Sequence, residues 1–269
     1  MKRRVPEVIP QTCDLWHMRA AQPSRTIGGM LNMILYLHIA GGSAALLSMF
    51  IPMVAPKGGC THRRSGWVFV IGMTLVSITA LALSAARYFF DPRPQAKAFA
   101  LFLFYLGILT GNAVSVGVRV LRTKKRTEPH KHPWDIGLAS VLTLTSIAMA
   151  AYGIAMSQPL FAAFSVIGLI TGAQGLCYWL RQPNRMDWWF RHMSAMLGAC
   201  IAATTAFLVN NAQLAGLPRG SMIVWLAPTI IGTPAIAIWT AYYKRRFATH
   251  SMHNAQSPML NAQQVVIGH

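Results

Sequence analysis

Seven apolar segments follow one another along the chain, separated by short polar stretches. Each is close to the ~20 residues that an α-helix needs to cross a hydrocarbon core of ~30 Å. The segments cover residues 30–50, 67–90, 98–120, 134–157, 159–180, 188–212 and 222–243. This pattern predicts an all-α fold, a polytopic transmembrane bundle of seven helices.

The two ends of the chain are polar. Residues 1–28 are predicted to form a disordered arm and residues 247–269 a disordered tail, which leaves 29–246 as the membrane domain. The basic start resembles a signal peptide, but prolines stand where the apolar core of such a peptide belongs. A true start of translation at Met30 or Met33 is an open alternative.

Composition supports the membrane class. Hydrophobic residues make up 54% of the chain and charged residues 11%, whereas about 25% of the residues in soluble domains are charged. The net charge of +18 would suit a nucleic-acid partner. We exclude that reading because Lys and Arg lie between the apolar segments or at their ends, which is the distribution expected beside anionic lipid head groups. The four cysteines form neither a CxxC motif nor a disulfide framework.

The basic residues also predict an orientation. Loops on the side of the N-terminus carry 9 Lys and Arg residues, and loops on the opposite side carry 15. The positive-inside rule therefore predicts an outside N-terminus and a cytoplasmic C-terminus in a multi-pass protein of a bacterial inner membrane. Tryptophans begin three segments on the predicted cytoplasmic side, as an aromatic belt would: Trp67, Trp134, Trp188 and Trp189.

Acidic residues are absent from the middle of every segment. The six in the chain are Glu7, Asp14, Asp91, Glu128, Asp135 and Asp187. A proton relay of the pump type needs carboxylates within the membrane, so that class is disfavoured.

His38 is the one ionisable side chain well inside a segment, about 12 Å past Met30 at ~1.5 Å per residue. Ionisable groups inside a membrane are costly and are often functional. Gly41 and Gly42 follow it and would let a helix or a flat ligand approach. A neutral imidazole hydrogen-bonded to a neighbouring helix is an equal alternative.

Two further histidines lie on the predicted cytoplasmic side. His62 is followed by Arg63 in a glycine-rich basic turn, KGGCTHRRSG, that would suit a lipid phosphate, a haem propionate or a substrate carboxylate. The alternative is an ordinary positive-inside loop. His192 lies about 6 Å into the sixth segment, one turn before Met196, and could equally be an interfacial histidine.

Three short motifs, LHIAGGSAAL, KGGCTHRRSGWVFV and HMSAMLGACIAATTAF, resemble an uncharacterised family of predicted bacterial membrane proteins, a family known only as a domain of unknown function. The resemblance covers the first two segments and the sixth. The matching positions are His38, Gly41 or Gly42, His62, Arg63, Gly66, His192 and Met196. The resemblance implies the helical architecture and a role for the three histidines, but no established reaction.

Haem b is a candidate cofactor. Two axial imidazole nitrogens must lie roughly 4 Å apart, twice a metal–nitrogen bond of ~2 Å. His38 and His192 differ too much in depth for this, whereas His62 and His192 lie near one level. These two could share a metal ion, a haem or a polar ligand. His130 and His132 are expected to lie in a solvated loop.

The leading hypothesis is a redox-linked or ligand-binding membrane protein with a haem or quinone site. One alternative is a transporter or channel-like subunit that uses a helix kinked at Pro228 and Pro234. Another is a non-enzymatic membrane scaffold. Small-xxx-small pairs predict close helix packing and allow a helix-mediated oligomer: Gly107 with Gly111, and Gly168 with Gly172. Whether the protein is an enzyme is left open.

Overall fold

The computed structural model describes the backbone of residues 25–218 and 220–267, and the side chains of residues 28–214, 216–218 and 220–247. Within these ranges all regular secondary structure is helical. A single 3₁₀ turn, Ala212–Ala215, joins the last two α-helices. The α-helices are α1 (Arg25–Ser48), α2 (Phe50–Val54), α3 (Cys60–Phe90), α4 (Pro94–Arg122), α5 (Pro133–Ala155), α6 (Pro159–Leu180), α7 (Asp187–Asn211) and α8 (Met222–Ile267).

These helices provide seven segments long and apolar enough to cross a membrane, with α1 and α2 together forming the first, Gly28–Val54. Large apolar side chains such as Leu47 and Ile154 are about three-quarters exposed on the outside of the bundle, at 75% and 74%. Such surfaces are stable only against lipid. The predicted seven-helix transmembrane bundle is therefore confirmed.

Two helix boundaries near the basic turn differ from the predicted ones. α3 begins at Cys60, seven residues before Trp67, so that His62 and Arg63 lie in a helix. The turn itself is confined to residues 55–59, between α2 and α3, and Gly58 has a φ of 80°, which favours glycine. The first span continues through Pro52, because that proline lies in the first turn of α2, where a missing backbone N–H costs little.

The ends of the chain also differ in part. α8 continues past Arg246 to Ile267, where a disordered tail is predicted. The tail is rich in Ala, Gln and Met, which have high helix propensity, and polarity alone does not end a helix. Most of the predicted N-terminal arm, residues 1–24, lies outside the described residues.

α4 is the central helix. It packs against α3, α5 and α7, while α1 covers α3, α6 covers α5 and α8 covers α7. Because successive spans alternate in direction, the connections α2–α3, α4–α5 and α6–α7 lie at one end of the bundle. Most of the loop Lys and Arg residues lie in these connections, and we call this end the basic end.

The glycine pairs bring helices together as predicted. The Ser77 hydroxyl donates to the Gly107 carbonyl at 2.8 Å, and a Cβ on Gly111 would lie 2.6 Å from the same hydroxyl oxygen. Ser77 therefore sits level with the middle of this pair, which fixes the register of α3 against α4. On α6, a methyl group on Gly168 would overlap the hydroxyl of Tyr105.

The other member of that pair, Gly172, faces Thr143 of α5 equally closely. Tyr105 uses the space at Gly168 to donate a hydrogen bond of 2.9 Å to the Phe164 carbonyl. The pair thus joins α4, α5 and α6 into one unit. An aromatic core surrounds it: Phe102, Tyr105, Phe161, Phe164 and Trp225.

Candidate functional site

His62 is held by the turn that precedes it. Its Nδ1 atom lies 3.0 Å from the carbonyl oxygen of Pro52, near the C-terminal end of α2. Lys57 donates to the same oxygen at 2.9 Å and to the Met53 carbonyl at 2.6 Å, and partial burial lowers the pKa of this ammonium group. A carbonyl oxygen only accepts, so Nδ1 of His62 carries the proton and Nε2 of the neutral ring keeps a lone pair.

His192 has the same arrangement on α7. Its Nδ1 atom donates to the carbonyl oxygen of Gly117 on α4 at 2.6 Å. Across the described part of the chain, no hydrogen-bond partner lies at Nε2 of His192 or of His62. Both neutral rings therefore present an acceptor nitrogen, which is the tautomer that metal-binding histidines use.

Met196 is a packing residue. A methyl group on Gly117 would overlap the Cε atom of Met196, and its Cβ would lie 3.3 Å from the sulfur. The thioether thus fills the space that Gly117 leaves. His192 and Met196, one turn apart, dock onto the same point of α4, which explains their spacing without a cofactor.

His62 and His192 approach each other but do not touch. A charge on one imidazole would act on the other, but no hydrogen bond joins them in the described structure. Measured from Ser77, His62 lies about 22 Å towards the basic end along α3 and Gly117 about 12 Å along α4, at ~1.5 Å per residue. The backbone positions of His62 and of Gly117, which binds His192, are therefore offset by about 10 Å along the bundle.

This offset bears on the haem hypothesis. The nitrogen chemistry of both rings fits axial ligation. One haem held between them would need the two nitrogens roughly 4 Å apart, twice a bond of ~2 Å. A single haem clamped by His62 and His192 does not fit this register.

His38 lies apart from the other two. Its Nδ1 atom is 2.8 Å from the Thr79 hydroxyl, which itself donates to the Leu75 carbonyl at 2.6 Å. Because a hydroxyl has one hydrogen, His38 is the donor to Thr79. Thr79 is about 25 Å from His62 along α3 at ~1.5 Å per residue. His38 therefore joins α1 to α3 and contributes nothing to the basic end.

Arg63 lies in the first turn of α3 and is exposed. Its side chain has no hydrogen bond or ion pair with any residue that the structure describes. Its guanidinium group is thus accessible to a ligand at His62 or to a lipid head group.

The basic half of α7 is partly exposed along its whole length. Every residue from 186 to 198 is partly exposed, so that this stretch has neither a buried face nor a lipid face. A helix packed on one side alternates between the two, as α5 does with buried Leu142 and exposed Leu144. The surface around His192 is therefore partly accessible, and we call it the α7 surface.

A buried ionic cluster that the sequence did not predict centres on Asp135 of α5. Asp135, 3% exposed, accepts hydrogen bonds from both Nε and Nη2 of Arg119, the latter at 2.7 Å. The Nε2 atom of His130 lies 2.9 Å from the same carboxylate. The prediction of a solvated loop is wrong for His130, because the buried carboxylate draws it inward. The same prediction holds better for His132, whose side chain is 51% exposed.

No family model matches the chain, and neither a curated protein nor a solved structure shows significant similarity to it. The resemblance to an uncharacterised membrane family stays a prediction. In the ranges that the structure covers, no group of three or more His, Cys, Asp and Glu side chains is placed to hold a metal ion. A metal shared by His62 and His192 alone likewise stays a prediction.

Proposed function

We propose that this multi-pass membrane protein binds a quinol-type head group at the α7 surface, with His62 and His192 as its hydrogen-bond acceptors. The proposal rests on one observation: the Nδ1–H group of each imidazole donates to a backbone carbonyl. What remains at each ring is a lone pair. Such a site favours a ligand that donates hydrogen bonds at two points.

A quinol matches this requirement in shape. Its two hydroxyl groups stand at opposite ends of a flat ring, and hydrogen bonds of about 2.8 Å at both ends extend that span to the order of the offset between the two histidines. The ligand is also lipid-soluble, so that it reaches the site from the bilayer. The proposal covers only the binding of a redox-active ligand. It does not include a reaction.

The basic end is proposed to face the cytoplasm of a bacterial inner membrane. The excess of Lys and Arg in its connections supports this orientation. Arg63, exposed beside His62, is placed to contact an anionic head group or a polar substituent of the ligand.

The test is a titration of the purified full chain with a short-chain quinol. Binding is measured as quenching of tryptophan fluorescence, because Trp188 and Trp189 precede His192. The variants His62→Asn and His192→Asn are suitable because the Asn amide replaces the Nδ1 donor and removes the Nε2 acceptor. Each should weaken binding tenfold or more. The exposed His132→Asn, at the same end of the bundle, is the control and should stay within twofold of the wild type.

Binding unaffected by both Asn variants would contradict the proposal. A visible absorption spectrum recorded on the same samples separates haem from quinol. If the wild type shows a Soret band and His192→Asn abolishes it, the ligand is a haem held through one histidine and not a quinol.

A further inference from the structure

Arg191 is a partly buried cation without a carboxylate. It is the fifth residue of α7 and points towards α6, where its Nη2 atom lies 3.4 Å from the Thr171 carbonyl. The absence of a side chain at Gly175 makes room for the guanidinium group. The ring of Tyr178 lies 5.9 Å from it, and its Nε atom is buried without a partner.

Arg126 approaches the same tyrosine from the α4–α5 connection. Its Nη2 donates to the Tyr178 carbonyl at 2.6 Å and its Nη1 to the Trp179 carbonyl at 3.3 Å, at the end of α6. The guanidinium group lies 4.4 Å from the centre of the Tyr178 ring. Its Nε atom, like that of Arg191, is buried and lacks a hydrogen-bond partner.

The nearby carboxylates are already occupied. Asp187, which acts electrostatically on Tyr178, accepts from Arg181 at 2.7 Å and from the backbone of Asn184 at 3.0 Å. Asp135 is bound by Arg119 and His130. Among the side chains that the structure describes, no carboxylate pairs with Arg126 or Arg191. Two partly buried guanidinium groups without a carboxylate partner are costly, and an anion would lower that cost.

We propose that Arg126 and Arg191 form a phosphate-binding site beside Tyr178. Arginine binds phosphate strongly because its planar donors match the oxygens of the anion, and a phosphate has enough oxygens for two such groups. The site lies at the basic end, where phospholipid head groups are present. It faces α6, whereas His192 faces α4, so this inference is independent of the quinol site.

The shared chemistry is a phosphate group, from either a phospholipid or free inorganic phosphate. The test is the thermal unfolding midpoint of the full chain in detergent, titrated with inorganic phosphate, phosphatidylglycerol or zwitterionic phosphatidylcholine. We expect phosphatidylglycerol or inorganic phosphate to raise the wild-type midpoint and phosphatidylcholine to leave it unchanged. A rise with phosphatidylglycerol alone identifies the lipid head group, and a rise with both identifies the phosphate group itself.

The variant Arg191→Gln should weaken this binding at least tenfold, and Arg191→Lys, which keeps the charge but not the planar fork, at least threefold. Arg122→Gln removes the same charge from an exposed position at the same end and should bind like the wild type. Equal weakening by Arg122→Gln and Arg191→Gln would overturn the site in favour of general surface charge. A wild-type midpoint that neither phosphate nor phosphatidylglycerol raises would overturn it without any variant.

Discussion

The Nδ1 atom of His192 lies 2.6 Å from the carbonyl oxygen of Gly117 on the neighbouring helix α4. This contact fixes the tautomer of the imidazole and the depth of α7 at once. Because Gly117 has no side chain, Met196 packs against the same point. The H-x-x-x-M motif resembles a pair of ligands, but Met196 is a packing residue. Only the Nε2 atom of His192 remains free to bind a partner.

Close packing at Gly168 should make even a methyl group costly. The change Gly168→Ala would drive a Cβ into the hydroxyl groups of Tyr105 and Ser146, both of which are buried. We expect a loss of stability of about 1–3 kcal/mol, as for other overpacked cores. Denaturation in mixed detergent micelles measures it.

The matched control is Gly137→Ala on α5, where nothing lies within 4 Å of the added Cβ. It should be neutral or stabilising by about 0.5–1 kcal/mol, because alanine favours a helix. Equal effects of the two changes would argue against the described contact between α4 and α6.

The buried ion pair at Asp135 should be essential for folding. Asp135→Asn leaves the Arg119 guanidinium group without its carboxylate, and breaking one partner of a buried pair costs about 3–5 kcal/mol. The same unfolding assay applies, and expression levels should fall with it. If Asp135→Asn is as stable as the wild type, the carboxylate is not enclosed by Arg119 and His130 as described.

His38 should behave as a packing residue. A double-mutant cycle of His38→Ala and Thr79→Val should give a coupling energy of about 0.6 kcal/mol, the average for hydrogen bonds between membrane helices. Neither change should alter the affinity for a quinol, because His38 is remote from the basic end. A large loss of ligand binding in His38→Ala with no coupling to Thr79 would return this histidine to the functional site.

Asp91 predicts an acid-dependent contribution to stability outside the membrane spans. Hydrogen bonds from Arg93 at 2.9 and 2.7 Å hold the pKa of this carboxyl at about 2, below its ordinary value of 3.8. Since the folded pKa is the lower one, the stabilisation is complete above the ordinary value and is lost as the pH falls towards 2.

The stability difference between wild type and Asp91→Asn should therefore be constant above about pH 5 and shrink between about pH 4 and 2. Unfolding midpoints measured over this range provide the test. A difference that grows on acidification would show that the ion pair does not set the pKa of Asp91.

Much of the fold could be predicted from the chain. Apolar length alone identifies the spans, and Gly107 and Gly168 mark two of the helix contacts, because close backbone approach needs small residues. The direction in which a charged side chain turns is not encoded locally. Arg191 looks like one more loop cation, yet it lies partly buried against α6, and the packing of α7 on α4 places it there.

The same limit applies to the site. The sequence predicts that His62 and His192 share one end of the bundle, and both lie in the first two turns of helices that begin there. Their offset depends on the register between α3 and α4. A hydrogen bond from Ser77 fixes this register, and no sequence pattern predicts it. Asp135 could have been noticed, since it is the one acid beside two histidines in the stretch HKHPWD.

The central claim is that His62 and His192 offer unprotonated Nε2 atoms to one ligand. ¹⁵N NMR of protein labelled at histidine observes those atoms directly. The variants His62→Asn and His192→Asn assign the signals. In the neutral imidazoles we predict a protonated Nδ1 and an unprotonated Nε2 in both rings, with the Nε2 resonances shifting when a quinol is added. A ring protonated at Nε2, or Nε2 resonances that the quinol leaves in place, would contradict it.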